Sequence, residues 1–245
     1  RHRKQKAESR KQKAECGMRN AVSRITHHTP RGFTLIELLV VISVIALLAA
    51  LTFPAVGAAK LAMMRARARS EMAQIETAIE RYHDKLGYYP PDNAPNWAPN
   101  QLYYELLGTI NSGGVYHTLD ASTQIKATEL PNVFGPTVTG FMNCSQGGDD
   151  GSPGAVAFLK GLKPAQFMPV TNGISSASFT VLGTGLDGPQ YFSNLGAKLN
   201  PWRYNASSPR HNPKSFDLWI DVMAGSKTNR IGNWSDRPLI VSTPY

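Results

Sequence analysis

Arg31-Gly32-Phe33-Thr34-Leu35-Ile36-Glu37-Leu38-Leu39-Val40-Val41-Ile42 decides how the rest of this chain is read. From Phe33 to Ala59 the only charged side chain is Glu37, and Leu38–Ala59 is mostly Leu, Val, Ile and Ala. About 20 such residues let a helix cross the hydrocarbon core of a bilayer, so the sequence predicts a membrane helix over residues 33–59. A buried core helix is one alternative. An ordinary signal peptide is another, because Ala46, Ala49 and Ala50 imitate a small-residue cleavage site. A carboxylate inside an apolar segment costs about 2.5–3.5 kcal/mol on insertion scales and is functional by default. Glu37 therefore needs a partner, and a free α-amino group, cationic near neutral pH, would serve. A cut between Gly32 and Phe33 would create one four residues before Glu37. That is too close to bridge well along one helix, whereas a neighbouring subunit can offer its amine at the right height. Snorkelling to water at the interface is the plainer reading of the same residue.

Upstream, residues 1–32 hold ten Lys/Arg and two Glu, while residues 33–245 hold sixteen Lys/Arg and fifteen Asp/Glu. The net charge of +9 thus belongs to a basic leader, and the remainder is nearly neutral. A nucleic-acid partner needs a basic face on the folded domain, and none is expected here. Arg3–Glu8 recurs almost unchanged as Arg10–Glu15. Either this repeat is a basic arm, or translation starts at Met18 and leaves a short leader carrying Arg19, Arg24 and Arg31. Counted from Met18, the basic residues flanking the apolar run (Lys60, Arg65, Arg67 and Arg69 on the far side) do not decide which end is cytoplasmic. Cys16 and Cys144 are the two cysteines, so a chain that loses its leader has no intramolecular disulfide.

Downstream, Leu61, Met64, Ala68, Met72, Ile75, Ala78/Ile79, Tyr82 and Leu86 recur at spacings of three and four. That is one apolar face of a helix over residues 60–87, with Arg and Glu on the other faces. The Met63-Met64 and Met72 stripe reads as packing. Gly87 is a C-cap, and Pro90-Pro91 forbid continuation. Pro54 removes one helical hydrogen bond and clashes with the previous turn, so it kinks or locally melts the helix, or divides it into two. An unbroken helix from 33 to 86 would be roughly 80 Å long.

The residues from Arg31 to Ile42 closely resemble the start of type IV prepilins and type II secretion pseudopilins. The resemblance implies that a prepilin peptidase cuts the Gly32–Phe33 bond on the cytoplasmic side and methylates the new Phe33 amine. It also implies that Glu37 meets an N-terminal amine during assembly, and that Pro54 stands where the family often has a proline. Gly87-Tyr88-Tyr89-Pro90 is similar to a Gly-x-Tyr-Pro element of major pseudopilins. Asn200-Pro201-Trp202 with Tyr204 is similar to their Asp-Pro-Trp-Gly…Tyr turn, and Ile231-Gly232-Asn233-Trp234 to their C-terminal Ile-Gly-Asn-Trp. Their acid-rich calcium loop is replaced at residues 224–230 by Ala-Gly-Ser-Lys-Thr-Asn-Arg. Asp221 is then a weak calcium candidate, with Lys227 and Arg230 as cations that can replace the ion. No cofactor is otherwise expected.

The fold class implied is α+β and pilin-like: one long N-terminal helix, half membrane-embedded and half amphipathic, packed on a small antiparallel sheet. Residues 88–245 form an exported, periplasmic domain held to the inner membrane by 33–59. Residues 91–200 are a loop-rich insertion, with a short helix over Asn100–Leu107 and strands over Val115–Leu119, Ala155–Leu159 and Ser178–Leu182. A flexible loop covers Gly147–Gly154, and Phe216–Asp221 is a further strand. Asp149, Asp150 and Asp187 sit beside glycines as turn residues rather than at calcium-loop spacing. Catalysis has no support. Three of the six histidines (His2, His27, His28) lie in the leader, His83, His117 and His211 belong to no catalytic or metal motif, and Gly183-x-Gly185 is too short to cradle phosphate. The resemblance implies a self-assembling subunit of a secretion pseudopilus, handled by prepilin peptidase and assembly machinery. A type IV pilin of a surface fibre, or a membrane-anchored binding module, are the alternatives.

Overall fold

The computed structural model describes residues 32–94, 99–146, 154–171, 177–189 and 200–241, with the side chains of 51–56 outside that set. The leader with its repeat, Met18 and Cys16, the pair Asp149-Asp150 and most of the loop Gly147–Gly154 therefore lie outside the described residues. Helix α1 runs from Leu35 to Leu86, 52 residues. The chain forms two compact units, one ending at Phe53 and the other beginning at Pro54. Backbone helix nonetheless passes through position 54, so the division into two helices does not occur. At the other end Gly87 takes φ +84°, a left-handed conformation that costs glycine little, and donates to His83 O at 2.7 Å.

In the second unit the amphipathic face of α1 sits where its spacing requires. Ala68, Met72, Ile75, Ala78, Ile79 and Tyr82 are buried in the core. Met64 and Leu86 flank it, but Met63 is 73% exposed and takes no part in the packing expected of it. Arg69, which falls off the apolar face, is recruited to tie α1 to the C-terminal sheet, donating to Gly232 O and Ser235 O.

The class is α+β, but three sheets stand where one small antiparallel sheet was expected. After α2 (Leu102–Leu107), β1 (Thr109–Ser112), β2 (Val115–Thr118), β3 (Gln124–Lys126) and β4 (Cys144–Gln146) form a four-stranded sheet in the order β3-β2-β1-β4. Its β1–β4 pairing is parallel, so this sheet is mixed. A short helix α3 (Leu130–Phe134) lies between β3 and β4. β5 (Phe167–Thr171) and β6 (Ser178–Leu182) make a two-stranded antiparallel sheet. β7 (Arg203–Asn205), β8 (Asp217–Ala224), β9 (Lys227–Gly232) and β10 (Leu239–Val241) form an antiparallel sheet in the order β10-β9-β8-β7. Thus residues 91–200 are not mainly loop: Tyr104, Phe134, Phe141 and Phe179 join their elements edge to face or stacked, at centroid distances of 4.7–6.2 Å.

Two sequence expectations fail here for identifiable reasons. Ala155–Leu159 is no strand. Its backbone is satisfied instead by Asn143, whose amide donates to Val156 O (2.7 Å) and accepts from Val156 N (2.9 Å), and by Leu106 O, which accepts from both Phe158 N and Leu159 N. One side-chain amide thus does what a neighbouring strand would do. Asn200-Pro201-Trp202 is not a turn. Pro201 bridges Gly183, Trp202 N donates to Leu182 O, and the Trp202 side chain is fully buried.

Candidate processing and assembly site

Gly32, Phe33 and Thr34 precede the first helical residue, Leu35. Thr34 is the N-cap: its carbonyl accepts the first helical bond, from Leu38 N at 3.2 Å. Its hydroxyl accepts from Glu37 N (3.2 Å), and Glu37 Oε2 reaches back to accept from Thr34 N (2.9 Å) and Thr34 Oγ1 (2.7 Å). This is a capping box, in which residues three apart satisfy each other's otherwise orphaned backbone donors. The sequence reading treated Glu37 as a carboxylate seeking an amine and passed over this local role. The signal was present in the spacing Thr34-x-x-Glu37. Glu37 Oε1 accepts no hydrogen bond among the described residues, so one oxygen of the pair is left over after the cap is made.

Beyond the cap the helix is apolar on every face and exposed on every face. Phe33, Leu35, Ile36, Leu38 and Leu39 are 52–81% exposed, and Val40, Val41, Ile42, Val44, Ile45, Leu47 and Leu48 are 46–64% exposed. A helix apolar all round belongs inside a protein assembly or a membrane. Among the described residues, however, no helix is long and apolar enough to cross a membrane. The side chains of 51–56, inside the expected span over 33–59, lie outside the described residues. Pro54 is helical in its backbone, and its side chain lies outside the described residues.

Asp221, the weak calcium candidate, is fully buried on β8. Its directly opposite cross-strand partner on β9 is Arg230. Arg230 donates from Nε to Oδ1 and from Nη2 to Oδ2, each at 2.8 Å, and Arg203 Nη1 lies 3.9 Å from Oδ2. A bidentate guanidinium takes one acceptor site on each carboxylate oxygen. The cation that sits against Asp221 in this structure is Arg230. Lys227, the other substitute considered, pairs with Ala224 at the far end of the hairpin. Where the resemblance places a calcium loop, the chain makes a two-residue turn at Gly225-Ser226, with Gly225 at φ +63°. Among the described residues no group of three or more His, Cys, Asp or Glu is placed to hold a metal ion.

A second buried carboxylate, Glu105 on α2, fastens α1 to the following segment. It accepts from Tyr82 OH (2.9 Å), Met142 N (2.8 Å) and Asn143 N (2.9 Å). Burial raises its pKa above the ordinary carboxylate value, outweighing those three bonds, which lower it. Burial also raises the Tyr82 hydroxyl, reinforced by the Glu105 charge, and pushes Tyr104 up to about 12.

No curated protein and no solved structure matches this chain. Residues 28–53 match the family model of the prokaryotic N-terminal methylation motif, which spans the capping box and the all-round apolar helix. Proteins bearing that motif are structural, and it indicates a type IV pilin-like or pseudopilin protein that is processed by prepilin peptidase and assembles into filaments.

Proposed function

We propose that this chain is a structural subunit of a type II secretion pseudopilus-like filament that drives protein export. A prepilin peptidase cuts the leader 1–32 at Gly32–Phe33 and methylates Phe33. Residues 33–59 hold the subunit in the inner membrane, residues 60–87 continue the helix, and residues 88–245 are the periplasmic part of a pilin-like fold. The observation that carries this reading is the helix from Leu35 onward, with large apolar side chains exposed on all faces and a lone carboxylate in its first turn. Such a surface marks a membrane or protein–protein contact, and lipid and neighbouring helices of a filament both supply one. The uncharged run continues in sequence to Ala59, which supports a span of sufficient length.

Asn200–Trp202 and Ile231–Trp234 favour the secretion subunit over a pilin. The Gly225-Ser226 hairpin favours the second reading, a type IV pilin of a surface fibre, because it leaves no calcium loop. Glu37→Ala is the discriminating variant. Loss of filaments with retention in the membrane is the expected result. Unchanged assembly would remove Glu37 from the assembly contact, and a wild-type chain that forms no filament would leave only a membrane-anchored binding module. Mass spectrometry of the assembled subunit is expected to show an N-terminal methylated Phe33.

A further inference from the structure

One face of the second unit carries an open groove of about 840 Å³ between α1 and the segment Val156–Lys163. Its cationic rim is Arg81 and Lys85 from α1 and Lys160 and Lys163 from the opposite wall, and no Asp or Glu lines it. Its floor is apolar, from Ala78, Val156, Phe158 and Leu159, with Phe158 fixed by its 5.3 Å ring contact with Tyr82. The groove holds four of the sixteen Lys/Arg in residues 33–245, leaving twelve against fifteen carboxylates elsewhere. Positive charge is thus concentrated here on a chain that is otherwise slightly acidic. The wall segment adds donors. The backbone amides of Ala157, Lys160 and Gly161 donate no hydrogen bond among the described residues, because Asn143 and Leu106 hold this segment through Val156, Phe158 and Leu159.

Cations and spare N–H donors above an apolar floor complement a ligand rich in acceptors, anionic, and carrying apolar side chains. We propose that this groove docks an acidic segment of a partner protein, with carboxylates at Lys160, Lys163, Arg81 and Lys85 and apolar side chains on Phe158 and Leu159. A nucleic acid fits less well, since the acidic remainder of the chain would repel a polyanion extending beyond the groove. Charge complementarity of this kind steers association and selects partners. The proposal does not depend on the filament reading.

The test uses the full chain in zwitterionic detergent micelles and fluorescein-labelled peptides of about ten residues, one alternating Glu and Leu and one alternating Lys and Leu, followed by fluorescence anisotropy. The acidic peptide is expected to bind at least about tenfold more tightly than the basic one, and to weaken as salt is raised. The double variant Lys160→Glu, Lys163→Glu is expected to weaken it by about tenfold or more, with thermal unfolding unchanged because both side chains are exposed. Thr77→Trp, at an exposed helix position lining the groove, fills it without changing charge and is expected to have a similar effect. Equal binding of the two peptides, or binding insensitive to the double variant, overturns the proposal. So does loss with the charge variant alone, which would mean general electrostatics rather than docking in the groove. Displacement of the acidic peptide by heparin at lower concentration than by unlabelled peptide would show a polyanion surface. Displacement by added unlabelled chain would show that a second copy is the occupant. Either result overturns the assignment to an acidic partner segment.

Discussion

Glu37→Gln separates the two roles that fall on Glu37. Glutamine still completes a capping box but carries no charge for a neighbouring amine. Glu37→Ala loses both; Thr34 still caps the Glu37 N–H, but the reciprocal half of the box is gone, at a cost of about 0.3–1.5 kcal/mol. Amide exchange at the first helical turn is therefore expected to rise in the alanine variant and stay near wild type in the glutamine variant. Filament assembly is expected to fail in both, and assembly rescued by glutamine would reduce Glu37 to a capping residue. Asp221 offers a second residue-scale test. Asp221→Asn removes the carboxylate shared by two buried guanidinium groups, and breaking a buried pair from one side costs about 3–5 kcal/mol. Thermal unfolding is expected to shift down sharply in that variant. Added calcium is expected to leave the wild-type midpoint unchanged, and sub-millimolar binding by isothermal titration would contradict the replacement of an ion by Arg230.

Among the elements, the junction of α2 and β1 is set by backbone geometry. Gly108 has φ +72°, and a Cβ there would lie 2.9 Å from Val156 O. Leu119 Cδ1, equally near, can swing away, but Val156 O is pinned by the Asn143 amide and cannot. Gly108→Ala is expected to cost about 2 kcal/mol through strain and contact together, measured by urea unfolding. The elements legible in the sequence were those announced by period or punctuation. The apolar repeat of α1 and its Gly87 stop fall in the structure at Leu35–Leu86, and Ser178–Leu182 is β6 residue for residue. Val115–Thr118 and Leu102–Leu107 lie within a residue or two of expectation. Ala155–Leu159 was misread because its composition suits a strand while its partner is a side-chain amide twelve or more residues away, and no local pattern encodes that. Strands β1, β3 and β4 were missed because three or four residues show too little alternation. The capping box was missed for a different reason: Glu37 was read for its charge and not for its spacing from Thr34.

For the molecule as a whole, pH tests whether Glu105 fastens α1 to the segment that follows it. Its pKa is raised by burial, so the folded form holds the proton more tightly than the unfolded chain, where a glutamate titrates near about 4.3. The stability from this difference is complete below that ordinary value and is lost as pH rises through the folded-state pKa. Glu105→Gln is expected to remove this fall, so the difference in urea midpoint between variant and wild type changes across that window and is flat above it. A pH-independent difference would show that Glu105 acts by packing alone. Counting residues shows the near-neutral balance of 33–245, sixteen Lys/Arg against fifteen Asp/Glu. What counting could not show is that four of those cations gather around one groove, because they come from positions about eighty residues apart in sequence.

The capping box also bears on how a peptidase meets this chain. Gly32 and Phe33 lie outside the hydrogen-bonded coil that Thr34 closes, and an added Cβ on Gly32 would meet nothing within 4 Å. If the proposed cut falls between Gly32 and Phe33, a protease can engage that bond without unwinding the helix that starts at Leu35. A cut at that bond would leave the Thr34–Glu37 clasp intact, with Phe33 alone ahead of it.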